Sequence, residues 1–234
     1  MELPFETRGS ESPLVDTVWS CRSGAVAEMT SVASETWGLV FWEQHDTAHA
    51  AVVGPETRSD TVAVPVEANY VGIQFAVGVS LRATATPDLV DGGIILPDTT
   101  HRTFRLDGAR WEIPSPDDAE ALADRLLRDG AIVRDPLVAD VMRGRRPPVA
   151  DRTVERRFRM ATGLTQGAVR QIGRARSAAL LLHSGALESQ VVAALGYYDE
   201  PHLARALRRY VGHTAGQLRR GLDNAIALDL QAHP

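Results

Sequence analysis

Arginines at helical spacing on two matching stretches are the residues of this chain best suited to chemistry, and the chemistry is the gripping of a polyanion. The first stretch covers residues 152–167 (RTVERRFRMATGLTQG) and the second residues 201–216 (PHLARALRRYVGHTAG). At an offset of 49, Val154 lies on Leu203, Arg156 on Arg205, Phe158 on Leu207 and Arg159 on Arg208. Gly163, Thr165 and Gly167 then coincide with Gly212, Thr214 and Gly216. Wound at about 100° per residue, the second stretch sets Leu203, Leu207 and Tyr210 on one stripe and Arg205, Arg208 and Arg209 on the opposite arc. The first sets Val154, Phe158 and Ala161 against Arg152, Arg156 and Arg159. Charge opposite an apolar stripe is ordinarily a solvated face, but such faces mix signs. These carry three arginines each against one acid, Glu155 or Glu200, and the pattern is repeated.

The rest of the composition says what such a device is attached to. With 234 residues, 44% hydrophobic and 24% charged, the chain has the makeup of a soluble globular protein of one large domain or two ordinary ones. Cys21 is its single cysteine, which excludes an intrachain disulfide scaffold. The opening MELPFETRGSESP holds three glutamates and no apolar segment, unlike a signal peptide, and no apolar run approaches the roughly 18 residues of a membrane span. A cytoplasmic location without membrane attachment is therefore expected. The net charge of −5 hides a division. Residues 1–136 hold 10 Arg and 22 Asp and Glu, whereas residues 137–234 hold 15 Arg and 8 acids. A basic block joined to an acidic one is the charge footprint of a nucleic-acid-binding module carried by a part that stays off nucleic acid.

Around the arginines the pattern first has period two. Residues 37–42, 48–53, 61–64, 70–75, 93–96 and 103–106 read as short strands, separated by turn-forming pairs such as Gly54-Pro55, Pro87-Asp88 and Pro97-Asp98. That many short strands imply an antiparallel sandwich or barrel. Residues 117–130 (DDAEALADRLLRDG) change to helical period, with acids in the first turn and Arg and Gly closing the last. Residues 137–142 form a short helix, and Arg145-Arg146-Pro147-Pro148 is the clearest break, since proline cannot continue a helix. The first basic helix follows over 151–161 with Asp151 as its cap. A longer helix over 166–183 carries Ile172, Ala175, Ala179 and Leu182 along one side. Then 187–195, the turn Gly196-Tyr197-Tyr198 and the second basic helix form a helix-turn-helix; 137–142 with 151–161 form a looser one.

With these features in place, DRTVERRF, the Gly163-x-Thr165 exit and GYYDEPHLARALRRYVGHT from Gly196 to Thr214 resemble the DNA-binding domain of the AraC/XylS family of bacterial transcription regulators. In that family two helix-turn-helix units flank a connecting helix. The departures are Ala215 and Gln166, where members usually have proline, and Val192, where alanine is favoured; no basic position is lost. The resemblance implies that Arg152, Glu155 and Arg156 of the first helix, and Glu200, Pro201, His202 and Arg205 of the second, face base edges of double-stranded DNA. Arg159, Arg208 and Arg209, further along, would face phosphates, which position without specifying. Arginine paired to the two acceptors of guanine is the commonest specific contact, and a carboxylate can accept from cytosine.

The resemblance further implies a cupin-like N-terminal domain that binds a small-molecule effector and forms a homodimer, with RNA polymerase as a further partner. Strings such as YVGIQFAVG and LVDGGIILPD look like those of actinobacterial members. The expected architecture is thus α+β with two domains: a β-barrel domain over 1–136, an all-α double helix-turn-helix domain over 137–220, and a tail over 221–234. Two alternatives stay open: a regulator whose barrel only dimerises, and a cupin-type enzyme with a DNA-targeting tail. Against the enzyme, the paired-His, Glu-containing motif of metal cupins is absent. His45 and His49 stand four apart where the chain reads as strand and turn, which suits surface histidines better than metal ligands. Cys21, Ser10, Ser12 and His101 have no triad-like context. No catalytic residue, metal or cofactor is expected.

Overall fold

Alternation of inward and outward side chains builds the first half of the molecule. In the computed structural model, which describes residues 5–220, the strands are β1 (Phe5–Gly9), β2 (Val15–Arg22), β3 (Glu28–Ser31), β4 (Gly38–Gln44), β5 (Thr47–Val53) and β6 (Asp60–Ala63). They are followed by β7 (Asn69–Phe75), β8 (Val79–Leu81), β9 (Gly93–Ile95), β10 (Thr103–Leu106), β11 (Ala109–Glu112) and β12 (Ile132–Arg134). All six strands expected from the sequence are present. The main sheet has the order β1-β2-β7-β4-β5-β9 and is antiparallel throughout; β3-β6, β8-β12 and β10-β11 pair separately. The expected barrel does not close. β9 pairs with β5 over three residues only, and Pro97 soon after it has no N–H to extend a ladder.

Seven helices complete the described residues: α1 (Ala119–Arg128), α2 (Pro136–Met142), α3 (Asp151–Thr162), α4 (Gln166–His183), α5 (Glu188–Leu195), α6 (Glu200–Tyr210) and α7 (Ala215–Arg220). α1 begins two residues later than its acids suggested, because Pro116 opens a tighter 3₁₀ turn over Pro116–Asp118. Asp151 is not the cap of α3. Ala150 occupies that position and offers no side-chain acceptor, while Asp151 is the first helical residue, where its charge still favours the helix N-terminus.

The two faces of the main sheet have different fates. Val18, Leu39, Phe41, Ile73 and Phe75 are buried on one side together with Leu122 and Leu126 of α1. Trp37 stacks on Phe75 at 4.1 Å and donates its indole N–H to the carbonyl of Val79 at 2.8 Å, so its one polar atom is satisfied. The other face presents Trp19, Val40, Trp42 and Tyr70, roofed by the short β3-β6 ladder. Trp19 lies across Gly72 of β7, where a Cβ would come within 2.0 Å of the indole. A second core centres on α4, whose Ile172, Ala175, Ala179 and Leu182 are buried as their spacing predicts. Phe158, Leu203 and Leu207 pack there, and so do Val32 and Ala33 from the strand-rich half.

α1 is tied to the outer strand by a two-pronged ion pair: Arg8 donates to Glu120 at 2.6 and 2.8 Å. The hydrogen bond from Arg8 holds the Glu120 carboxyl well below the usual range, at about 2. A depressed carboxyl stabilises the fold above its unfolded pKa of roughly 4.3, and that contribution is lost as pH falls toward 2. NMR titration of Glu120 should therefore give a midpoint near 2, and Arg8→Ala should raise it toward roughly 4.3. An unchanged midpoint in the variant would remove Arg8 as the cause.

Candidate functional site

The repeated Gly-x-Thr exits have a local physical meaning. Gly163 ends α3 in the left-handed conformation, at φ 74°, and its N–H closes on the carbonyl of Arg159. Gly212, just past α6, has φ 80° and donates to Leu207 at 2.9 Å. Glycine reaches that conformation without strain and satisfies carbonyls that a helix end leaves open. Two residues on, Thr165 caps α4 by accepting from the Ala168 N–H at 3.1 Å. Thr214 accepts from Gln217 at 3.3 Å, and the Gln217 side chain accepts in return from the Thr214 N–H at 2.8 Å. The repeat is therefore one tight corner used twice, turning each basic helix into the helix that follows.

Ahead of each corner the arginines stand outward. Phe158, Ala161, Leu203, Leu207 and Tyr210 are buried, and Val154 is half-buried. Arg152, Glu155, Arg156 and Arg159 on α3, and Glu200, Pro201, Arg205, Arg208 and Arg209 on α6, are exposed. His202 differs from the rest. It is half-buried, accepts the Tyr198 N–H on Nδ1 at 3.3 Å and meets the Tyr197 ring edge-on at 5.2 Å, so one side of its ring is engaged within the turn. Asp199 caps α6 by accepting from the His202 N–H at 2.7 Å, with Pro201 in the first turn. Arg209 also lies over the Tyr210 ring at 5.2 Å.

Other arginines of this half are occupied in ways their spacing does not reveal. Arg157 makes a two-pronged pair with Asp135 at 2.6 and 2.8 Å, fastening α3 to the start of α2. Arg174 of α4 lies 4.5 Å from the centre of the Tyr197 ring. Arg176 of α4 reaches across to Glu35 in the loop after β3, at 3.3 Å with both side chains largely buried.

That last pair belongs to a continuous seam between the helices and the strands. At the end of α3, a Cβ on Gly163 would stand 2.5 Å from the Val90 side chain and 3.1 Å from the Thr86 carbonyl. At the end of α6, a Cβ on Gly212 would meet Thr30 at 2.9 Å and Ser59 at 3.1 Å. The Ser59 N–H donates to the Arg209 carbonyl at 2.9 Å and the Ala33 N–H to the Tyr210 carbonyl at 2.8 Å. Carbonyls in the last turn of a helix need external donors, and here the strand-rich half supplies them. Both basic helices are thus held at their C-terminal ends by the sheet side.

Between the main sheet and the β3-β6 roof lies a cavity of about 340 Å³, walled by Trp19, Val40, Tyr70, Met29 and Val62 and reached by Arg176 of α4. Its polar end carries Glu56, which accepts from Ser31, and Gln74, whose amide is held by Ser34 and Thr36 at 2.8–2.9 Å. Burial pushes the Glu56 carboxyl upward; the Ser31 bond opposes the shift, and the nearby Asp91 and Asp60 add to it. Cys21 lines the same space, and burial raises its thiol to about 11. The resemblance implied an effector site in this half, but the sequence did not mark the residues that line it, because they come from β1 to β7 and from α4. His45 sits in the tight turn between β4 and β5 at φ 48°, whereas His49 lies on β5 and stacks on Trp42 at 4.9 Å.

Compared with known proteins, residues 147–221 match the family model described as a helix-turn-helix domain. No curated protein and no solved structure matches the chain. The matched segment contains α3 to α7 and both exposed arginine arcs, and it supports a DNA-binding transcription regulator. Among the described residues no helix is long and apolar enough to cross a membrane.

Proposed function

We propose that this chain is a sequence-specific transcription regulator of the AraC/XylS type, whose two helix-turn-helix units read adjacent major grooves. Residues 137–220 would form the DNA-binding domain and residues 1–136 the regulatory domain. The observation that carries the reading is the pairing of two exposed arginine arcs across one connecting helix. α4 has 18 residues and so spans roughly 27 Å at about 1.5 Å per residue, approaching the groove repeat of about 34 Å on one face of the duplex. Arg152, Glu155 and Arg156 on α3, with Glu200, Pro201, His202 and Arg205 on α6, take the base edges; Arg159, Arg208 and Arg209 take phosphates. Of these, His202 has the least freedom, because its ring already serves the turn.

The regulatory half would hold a small-molecule effector in the cavity under β3-β6 and change how the two arcs are presented. A second reading, in which this half serves only to form a homodimer, is favoured by one feature. The edge strand β9 leaves Ile94 41% and Ile95 65% exposed, an unpaired apolar edge suited to another copy.

Footprinting on a site selected from random duplex DNA tests the main reading. Two protected segments per protomer, with centres about one helical turn apart, are expected. One short contiguous patch per protomer would sink the two-groove arrangement.

A further inference from the structure

We infer that the cavity beneath the β3-β6 ladder takes a small molecule with an apolar, ring-bearing body and a cationic head seated on Glu56, and that the roof strands transmit its presence to α6. The inference rests on the effector reading above and gives that effector a chemical class. The body follows from the walls, since Trp19, Val40, Tyr70, Met29 and Val62 offer apolar and aromatic surface with few hydrogen-bonding groups.

The sign of the head follows from what surrounds Glu56. Its carboxylate accepts from the neutral Ser31 hydroxyl, and among the described residues it forms no ion pair. Its charged neighbours are the acids Asp91 and Asp60, and burial already disfavours its ionised form. Arg176, the cation at this end, pairs with Glu35, so an incoming carboxylate would compete for it while facing Glu56. An ammonium group at Glu56 instead supplies the missing positive charge in a partly dry site, where such a pair is strongest. Gln74 has no free N–H to offer an incoming carboxylate, because its amide donors are taken by Ser34 and Thr36.

The route to DNA is equally short. Ser31 of β3 bonds Glu56, and two residues later Ala33 donates to the Tyr210 carbonyl. Ser59, immediately before β6, donates to the Arg209 carbonyl. A head that draws Glu56 away from Ser31 therefore acts on strands whose ends complete the last turn of α6.

The test uses the full chain with three probes of one shape: phenylbutylamine, phenylbutanol and phenylbutyrate. Isothermal titration should give the amine an affinity about tenfold or more above that of the acid, and Glu56→Gln, which keeps the shape, should erase that preference. In parallel, the amine should change hydrogen-exchange protection of the Ala33 and Ser59 amides, read by NMR. Equal or tighter binding of the acid overturns the cationic head while leaving the effector reading in place. Failure of all three probes to bind overturns both. Binding without any change at Ala33 and Ser59 overturns the transmission.

Discussion

Valine in place of Gly163 is expected to destabilise the chain by about 3–5 kcal/mol, far more than the same change at Gly196. Both glycines end helices in the left-handed conformation, at φ 74° and φ 67°. Any side chain there carries a backbone penalty of about 1–2 kcal/mol, somewhat more when β-branched. What differs is the surroundings. Nothing lies within 4 Å of a Cβ at Gly196, whereas at Gly163 it would meet the Val90 methyl at 2.5 Å and the Thr86 carbonyl at 3.1 Å. Val90 has no long side chain to swing aside, and the carbonyl is backbone, so the clash is relieved only if α3 lifts off the strand-rich half. Urea unfolding of both variants, compared by midpoint at constant slope, isolates the seam from the shared backbone strain. Gly212→Val should fall between them, since its neighbours at 2.9–3.2 Å include the Thr30 methyl and Ser59 side chains on a short two-stranded roof. Equal losses at Gly163 and Gly196 would mean that the end of α3 does not bear on the sheet side.

The seam marks where sequence reading stopped. Elements with one strong period were legible: α4 runs over Gln166–His183 as its apolar spacing requires, and β4, β5 and β7 follow their alternation. Six strands were not. β1 (FETRG) and β3 (EMTS) are edge or roof strands with one apolar residue each, too few for an alternating pattern, and β8 and β12 pair over only three residues. β2 alternates through a bulge between Val15 and Thr17, which breaks the simple period, and β11 is too short to register alone. At the site, the arginine arcs were legible because helical geometry alone separates them from Phe158 and Leu207. The tasks of Arg157 and Arg176 were not, since their partners Asp135 and Glu35 lie 22 and 141 residues away. The glycines of the repeated exit were visible as a motif, but only the close approach of Thr86, Val90, Thr30 and Ser59 gives them a second task beyond ending helices.

Removing Arg156 and Arg205 together, each to alanine, is expected to weaken binding to the selected site by about 2–6 kcal/mol, bringing it toward binding of unrelated duplex. Each residue is exposed on the outward arc of its helix, and among the described residues neither forms an intramolecular ion pair, so each can present an undistracted guanidinium fork. A bidentate pairing to guanine is worth about 1–3 kcal/mol of discrimination, and two such pairings in separate grooves without common partners should add to within about 0.5 kcal/mol. Arg208→Ala provides the contrast. Without that guanidinium to neutralise a phosphate, every sequence should bind more weakly to the same degree and the slope of log affinity against log salt should fall by about 1, whereas Arg205→Ala should relax one base position of the site. Electrophoretic titrations on selected and scrambled duplexes over a range of salt separate these outcomes. Uniform weakening for both Arg205 and Arg208 would erase the division between reading and positioning. Strong non-additivity between Arg156 and Arg205 would mean that the helices do not bind as independent units, and that the seam fixing both C-terminal ends to the strand-rich half couples them on DNA as well.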